Sequence, residues 1–184
     1  PFYIQQSLAS GGPVLELGCG TGRVAVAIAR AGSPIVGVDI SPRMLEVART
    51  KAAHLGLDGL CSFVHGDMRT MTLGRRFPLV VIPFRSFQSM LTVDDQRRTL
   101  INIKAHLRPG GRLAFDIFAP DISMLADDDP AMFHVQDVHE LETGHTLRVW
   151  GRNRWDHLKQ TNATQLAIEE LDREAIMLKR LHRE

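Results

Sequence analysis

The chain has 184 residues, 44% hydrophobic and 23% charged, with a formal net charge of +1; that suits one soluble globular domain with its own core and gives no basis for nucleic acid as the main partner. No apolar run is long enough to span a bilayer, and no basic-then-apolar leader opens the chain, whose first residue is Pro1. Cys19 and Cys61 make no metal-ligand pattern, and two thiols in a chain of this size point to a reducing compartment, the cytoplasm.

Residues 13–118 alternate between short β-branched runs and helical patterns. Pro13–Leu17 (PVLEL) is predicted as a buried strand. Gly22–Gly32 follows as a helix, with Val24, Ala27, Ile28 and Ala31 at helical spacing and Gly32 able to close it. Pro34–Ile40 is a second strand; Ser41 is then a good N-cap and Pro42 suits the first helical position. The next helix puts Met44, Leu45, Ala48 and Ala52 on one face. Leu60–Asp67 reads as a third strand with its exit, and Phe77–Phe84 as a fourth. A helix over DDQRRTLINIKAHL carries Leu100, Ile103, Ala105 and Leu107 as its apolar residues and stops at Arg108-Pro109-Gly110-Gly111. Arg112–Ala119 is a fifth strand.

This alternation predicts an α/β fold: a doubly wound, mostly parallel Rossmann-like sheet with helices on both faces. Right-handed crossovers gather the strand C-termini on one edge, where ligands of such sheets bind. Gly18–Gly22, Asp39, Asp67 and residues 84–88 all follow strand C-termini.

After Pro120 the texture changes. PDISMLADDDP is a short helix or loop rich in acid. HTLRVWGRNRWD alternates, with Arg148, Trp150, Arg152 and Arg154 facing one way and Leu147, Val149 and Trp155 the other, which favours a strand. Residues 162–184 are ambiguous. Leu171, Ala175 and Leu178 form a helical stripe, yet Thr164–Leu171 and Ala175–His182 pair equally well around a turn at Asp172–Glu174. The expected organisation is a core over 1–119 and an antiparallel β extension over 120–184 of the same domain.

The stretch VLELGCGTGR is the most informative. A dinucleotide fingerprint needs G-x-G-x-x-G; Gly18 and Gly20 fit, but Arg23 takes the last position and Gly22 comes one place early. A P-loop needs Gly-Lys followed by Ser or Thr, and Arg23-Val24 fails that. What remains is Glu16-x-Gly18-x-Gly20-x-Gly22, with Asp39 at the separation where an acid reaches ribose hydroxyls. A carboxylate there accepts two hydroxyl donors at once.

This pattern resembles the glycine-rich motif of class I S-adenosylmethionine-dependent methyltransferases, and the resemblance extends over roughly residues 13–118. It implies that the loop, with Gly18, Cys19, Gly20, Gly22 and Arg23, packs against the methionine part of the cofactor. Glu16 would help hold the cofactor's amino group, which suits a ligand carrying an ammonium and a sulfonium and not a pyrophosphate. By the same resemblance Asp39 binds the ribose, Ile40 packs on the adenine, and Asp67 meets the adenine exocyclic amine with Met68 at the ring. Met44, Gly66, Pro83 and Phe84 complete the implied cofactor-binding set. The cofactor is S-adenosyl-L-methionine, the product S-adenosyl-L-homocysteine, and no metal is implied. The segment IPFRSFQSM would lie beside the methyl group, making Arg85, Phe87 and Gln88 candidates to touch the acceptor. The competing reading is that Phe84 and Phe87 plug the core and Arg85 is solvated. Cys19 is a reactive thiol or, alternatively, a small filler between glycines. Asp116, inside LAFDIF, needs a partner. His65, His134, His139 and His145 are candidate bases without metal spacing, and no general base can be named.

The expected function is methyl transfer to an oxygen or nitrogen of a small-molecule acceptor. The alternatives are a non-catalytic S-adenosylmethionine-binding regulatory protein, or an RNA or protein methyltransferase using Arg148, Arg152 and Arg154 on phosphates. The fourth-strand segment lacks the Asn/Asp-Pro-Pro-Tyr pattern of enzymes that methylate base amines. The tail is similar to an antiparallel insertion that some small-molecule members carry as a lid or dimer surface. That favours strands over residues 164–182 and leaves a homodimer open. The family's two final strands are not found in the tail, so the expectation is a chain truncated at both ends.

Overall fold

Every residue of β1 (Val14–Leu17) and β2 (Ile35–Asp39) is buried, and so is nearly all of β4 (Phe77–Ile82). A strand covered on both faces reads as an unbroken apolar run, as these do. The computed structural model describes residues 1–122, 125, 131–140, 143–174 and 176–183. The chain divides into two units, Pro1–Phe118 and Ala119–Glu184.

In the first unit, α1 (Phe2–Ser10) precedes β1, α2 (Arg23–Arg30) links β1 to β2, and α3 (Pro42–His54) links β2 to β3 (Cys61–His65). After β4 come a 3-10 turn at Ser86–Ser89, α4 (Val93–His106) and β5 (Leu107–Phe115). The sheet order is β3-β2-β1-β4-β5, all parallel. Strand order therefore reverses between β1 and β4, the switch point at which a crevice opens in such sheets.

Alternate residues of each strand feed opposite faces. Val14, Ile35, Leu79 and Val81 pack with Ala25, Ile28 and Ala29 of α2, and Tyr3 and Ile4 of α1 lean on the same cluster. Leu15, Leu17, Val36, Val38, Val80 and Ile82 pack on the other face with Ile103 of α4 and with Met71 and Phe77. Each fully buried aliphatic side chain here contributes about 1.5–3 kcal/mol of transfer free energy. Ser41 Oγ accepts from Met44 N–H at 3.4 Å, the predicted N-cap of α3.

In the first unit α1 has no counterpart among the expected elements, and α4 and β5 depart from expectation. The buried face of α4 is Thr99, Ile103 and His106, whereas Leu100 and Ala105 are exposed. The inward face is polar because it satisfies loop backbone. Asn102 Nδ2 donates to the carbonyls of Met68 and Met71, each at 3.1 Å, and Leu73 N–H donates to His106 Nε2 at 3.2 Å. The fifth strand begins at Leu107, directly after α4, and ends at Phe115. A register irregularity between Phe77 and Leu79 absorbs Arg108–Gly111, which sequence alone marks as a stop.

The second unit is a four-stranded antiparallel sheet in the order β6-β7-β8-β9: Phe133–His139, Thr146–Asp156, Thr161–Leu171 and Met177–Arg183. The ambiguous C-terminal stretch is a hairpin. Asp172 carboxylate accepts from Glu174 N–H at 2.9 Å and Ile176 N–H at 2.8 Å, closing the turn. Strand β6 is not among the expected elements, and a bulge between His134 and Gln136 breaks its alternation. The short helix or loop expected over 120–130 falls largely outside the described residues, as does Ala175. Among the described residues no helix is long and apolar enough to cross a membrane.

Candidate active site

The glycine loop hangs on β2. Gly18 and Cys19 N–H both donate to the Val38 carbonyl, at 2.8 and 3.1 Å, and Gly20 N–H donates to Asp39 Oδ2 at 2.7 Å. Asp39 Oδ1 accepts from Ser41 N–H at 2.8 Å. One carboxylate thus fixes both the loop and the entry to α3, and each oxygen keeps a further lone pair. Gly18 has φ +69°, and a Cβ there would stand 2.7 Å from Ser86 Cβ. The loop after β1 and the turn after β4 therefore touch across the switch point. Gly22, at φ +76°, caps α2, and a Cβ would come within 3.0 Å of Ala48.

Glu16 is the unusual residue of the crevice. It shares the α2 face of β1 with Val14 and is only 2% exposed. Burial pushes its carboxyl up to about 8, against a hydrogen bond from Ala25 N–H and the Arg23 guanidinium, which pull it down, while Asp39 raises it further. Its Oε2 is buried with no hydrogen-bond partner. An unpartnered acceptor of this kind calls for a donor from outside the chain.

The other sequence-predicted residues sort by exposure. Ile40 is 64% exposed at the end of β2, so it is no core residue. Met44 is also exposed, its sulfur 3.7 Å from where a Gly20 Cβ would stand, although its spacing sets it on one helix face with Leu45, Ala48 and Ala52, which are buried. Met68 is half-buried with its methyl against Gly18. Met44 and Met68 thus lie against the glycine loop. Gly66 N–H donates to the Asp39 carbonyl at 3.0 Å, which ties the exits of β2 and β3 together.

Asp67 is engaged. Arg69 holds it through Nε at 3.0 Å and Nη2 at 2.6 Å, and Arg69 Nη1 reaches Asp95 at 2.9 Å. The Arg69 hydrogen bonds keep the Asp67 carboxyl below its usual range, despite some burial. Cys19 is buried, with its sulfur where a Gly37 Cβ would clash at 2.8 Å. Burial pushes the thiol up, and the sulfur lies 3.9 Å from the Gly20 carbonyl, packed inside the loop.

The IPFRSFQSM segment divides between core and surface. Pro83 is buried, and Phe87 packs on the core beside Phe115 with ring centroids 5.3 Å apart. Phe84 is 70% exposed, with the Arg23 guanidinium 4.6 Å above its ring. Arg85 stacks on Phe118 at 4.6 Å. Gln88 does not offer its amide to a ligand: Nε2 donates to the Phe118 carbonyl at 2.9 Å and Oε1 accepts from Phe118 N–H at 2.7 Å. Ser86 and Tyr3, both at this edge, carry no local signal in the sequence.

In the second unit, Asp137, Arg148, Glu169 and Arg180 line one row across the four strands. Arg148 pairs with Asp137 at 3.1 Å and Arg180 with Glu169 at 3.7 Å, so the charges alternate in sign. Arg152 bonds Gln165. Two of the three arginines considered for phosphates are thus committed within the sheet. The candidate histidines are committed too: His65 Nε2 lies 3.1 Å from the Ile40 carbonyl, His134 pairs with Asp137 at 2.8 Å, His139 bonds Thr146 and His145 bonds Glu170.

A family profile described as a methyltransferase domain matches residues 14–111. The chain is 34% identical over 110 residues to the cypemycin N-terminal methyltransferase of a Streptomyces species, covering 60% of this chain and 43% of that protein. It is 32% identical over 149 residues to the methyltransferase GfsG of Streptomyces halstedii, covering 79% of this chain and 51% of that one. The chain thus spans about half the length of these relatives. Among solved structures, SAM-bound CalS10, an amino pentose methyltransferase from Micromonospora echinaspora, matches with a TM-score of 0.74 at 22% identity, over 99% of this chain and 72% of that one.

Proposed function

The chain belongs to the methyltransferase domain family, and from that premise we propose that it transfers the methyl group of S-adenosylmethionine to an oxygen or nitrogen of a small molecule. The observation that carries this reading is the buried, unpartnered Oε2 of Glu16 beneath the glycine loop. It fits an ammonium donor and repels a phosphate. In this reading Glu16 holds the cofactor's amino group, Asp39 accepts from the ribose hydroxyls, and Ile40, Met44 and Met68 flank the adenine. Asp67, oriented by Arg69, presents its carboxylate edge to the adenine amine. Gly18 leaves the space that a side chain would take from the ligand and from Ser86.

The cofactor supplies a methyl on a cationic sulfonium, which departs as a neutral thioether. The chain therefore has mainly to align an acceptor and keep water away. Phe84, exposed beside Arg23, suits the second task. CalS10 is an amino pentose methyltransferase, which supports small polar acceptors in this reading. The free cysteines suit a reducing compartment, and the antiparallel sheet is the part we assign to a lid or dimer surface.

Calorimetry with S-adenosylhomocysteine tests the reading. Binding by the wild-type chain, weakened at least about tenfold by Glu16→Ala, is the expected result, since a charge-assisted hydrogen bond of about 1.5–3 kcal/mol is lost. Absence of binding by the wild type would overturn it. Binding without turnover across a panel of amino sugars and phenols would favour a regulatory protein.

A further inference from the structure

Phe84 and Arg85 are consecutive non-glycine residues in the left-handed region, with φ 58° and 64°. Each such residue is disfavoured roughly tenfold for a side chain with a Cβ. Two in succession persist only where surrounding structure holds them. Here the holder is one carboxylate. Asp116, the residue after β5, accepts from Phe84 N–H through Oδ1 at 2.8 Å and from Arg85 N–H through Oδ2 at 3.0 Å. The Tyr3 hydroxyl of α1 donates to the same Oδ1. Gln88, four residues after Phe84, grips the Phe118 backbone at two points. The turn after β4 is therefore fastened to residues 116–118 at both ends.

The consequence falls on Phe84. Left-handed backbone at two positions turns its ring outward, beside Arg23 at the start of α2. We propose that Asp116 is a positioning residue of the methyl-transfer site: its carboxylate, braced by Tyr3, holds the Phe84–Arg85 turn so that the Phe84 ring forms the acceptor-side wall. This rests on the function proposed above. It also gives the carboxylate inside LAFDIF, whose partner the sequence does not name, a definite task. Burial raises the proton affinity of Asp116, but its donors outweigh that and hold it below the usual carboxylate range, so it serves as a fixed acceptor at neutral pH.

Hydrogen exchange on the whole chain, read by mass spectrometry, tests the proposal without any acceptor. In Asp116→Ala, exchange over residues 83–90 should rise about tenfold, with a smaller rise in Asp116→Asn, which keeps one accepting oxygen. Exchange over β1 and β2 should not change. Unchanged exchange over 83–90 in Asp116→Ala would overturn the proposal. If Asp116→Ala fails to fold, Tyr3→Phe decides in its place, since it removes only the brace: a rise confined to 83–90 supports the proposal, and none overturns it. With the panel acceptor that the wild type turns over fastest, the Asp116→Asn variant should raise acceptor KM about tenfold and shift S-adenosylhomocysteine affinity less than about threefold. A loosened segment with unchanged KM would leave Asp116 a fold residue and overturn its positioning role. If the wild type binds no S-adenosylhomocysteine, the functional reading falls while the exchange result still stands.

Discussion

The two units are built from strands that differ in both composition and burial: aliphatic and covered in the first, mixed with charged residues and half-exposed in the second. Strands β1, β2 and β4 of the first unit lie between helices, and their aliphatic side chains are almost wholly inaccessible. In the second unit β6 is exposed along its length, and among the described residues Ala167 and Leu171 are the only hydrophobics of that unit in the buried core. A parallel sheet draws its stability from cover on both faces; an antiparallel sheet can stand with one face wet. The second unit relies correspondingly on cross-strand contacts, such as the Asp137–Arg148 pair and the Trp150 indole N–H donating to Glu169 at 2.8 Å. The residues proposed for the site sit on the first unit. A site that must place atoms within fractions of an ångström belongs on elements that cannot shift.

The largest test of this contrast is a pair of truncations followed by urea unfolding. Leu79→Ala, in the middle of β4, should cost about 3 kcal/mol, because a buried Leu leaves a cavity. Leu147→Ala, on the half-exposed face of β7, should cost less than half of that. Equal losses would break the comparison.

Glu16 gives the next effect, and it depends on pH. Its carboxyl is pushed from an ordinary 4.5 up to about 8 in the folded chain. The folded state therefore binds a proton that the unfolded state has released, so stability declines as pH rises from 4.5 through 8. The decline is on the order of a few kcal/mol. Glu16→Gln should flatten that slope and leave stability near pH 4 unchanged; a slope that persists in the variant rules out Glu16 as its source. Ligand binding adds a second readout. An ammonium beside Glu16 favours the ionised form, so S-adenosylhomocysteine should displace a proton near pH 7. Calorimetry in buffers of different ionisation enthalpy measures that proton.

Gly18→Ala should weaken S-adenosylhomocysteine binding about tenfold or more, because the new Cβ meets Ser86 and the residue is held at positive φ. Adding Ser86→Gly should recover part of the loss, leaving the backbone strain. If Ser86→Gly recovers nothing, the contact across the switch point is not what excludes a side chain at Gly18. The smallest expected change is Trp150→Phe in the second unit, about 1 kcal/mol from the lost indole hydrogen bond.

Periodicity and a few marker residues suffice for the five parallel strands, the helices that link them and the sheet edge on which the proposed site lies. Alternating β-branched runs and 3.6-residue stripes are local signals, and Ser41, Pro42 and Gly22 punctuate them. The spacing of Glu16, Gly18, Gly20, Gly22 and Asp39 is equally local, which is why the cofactor class is legible from residues alone. Other features depend on residues far apart in the chain, and only folding brings them together. The inward face of α4 follows from loop carbonyls that need donors, and residue spacing carries no trace of that. Arg69 occupies Asp67 because α4 brings Asp95 alongside. Gln88 and Asp116 are polar residues of unassigned purpose until the turn after β4 meets the end of β5. Tyr3 is 113 positions from the carboxylate it braces. No window along the sequence contains both partners, so their contact is a property of the packed sheet edge.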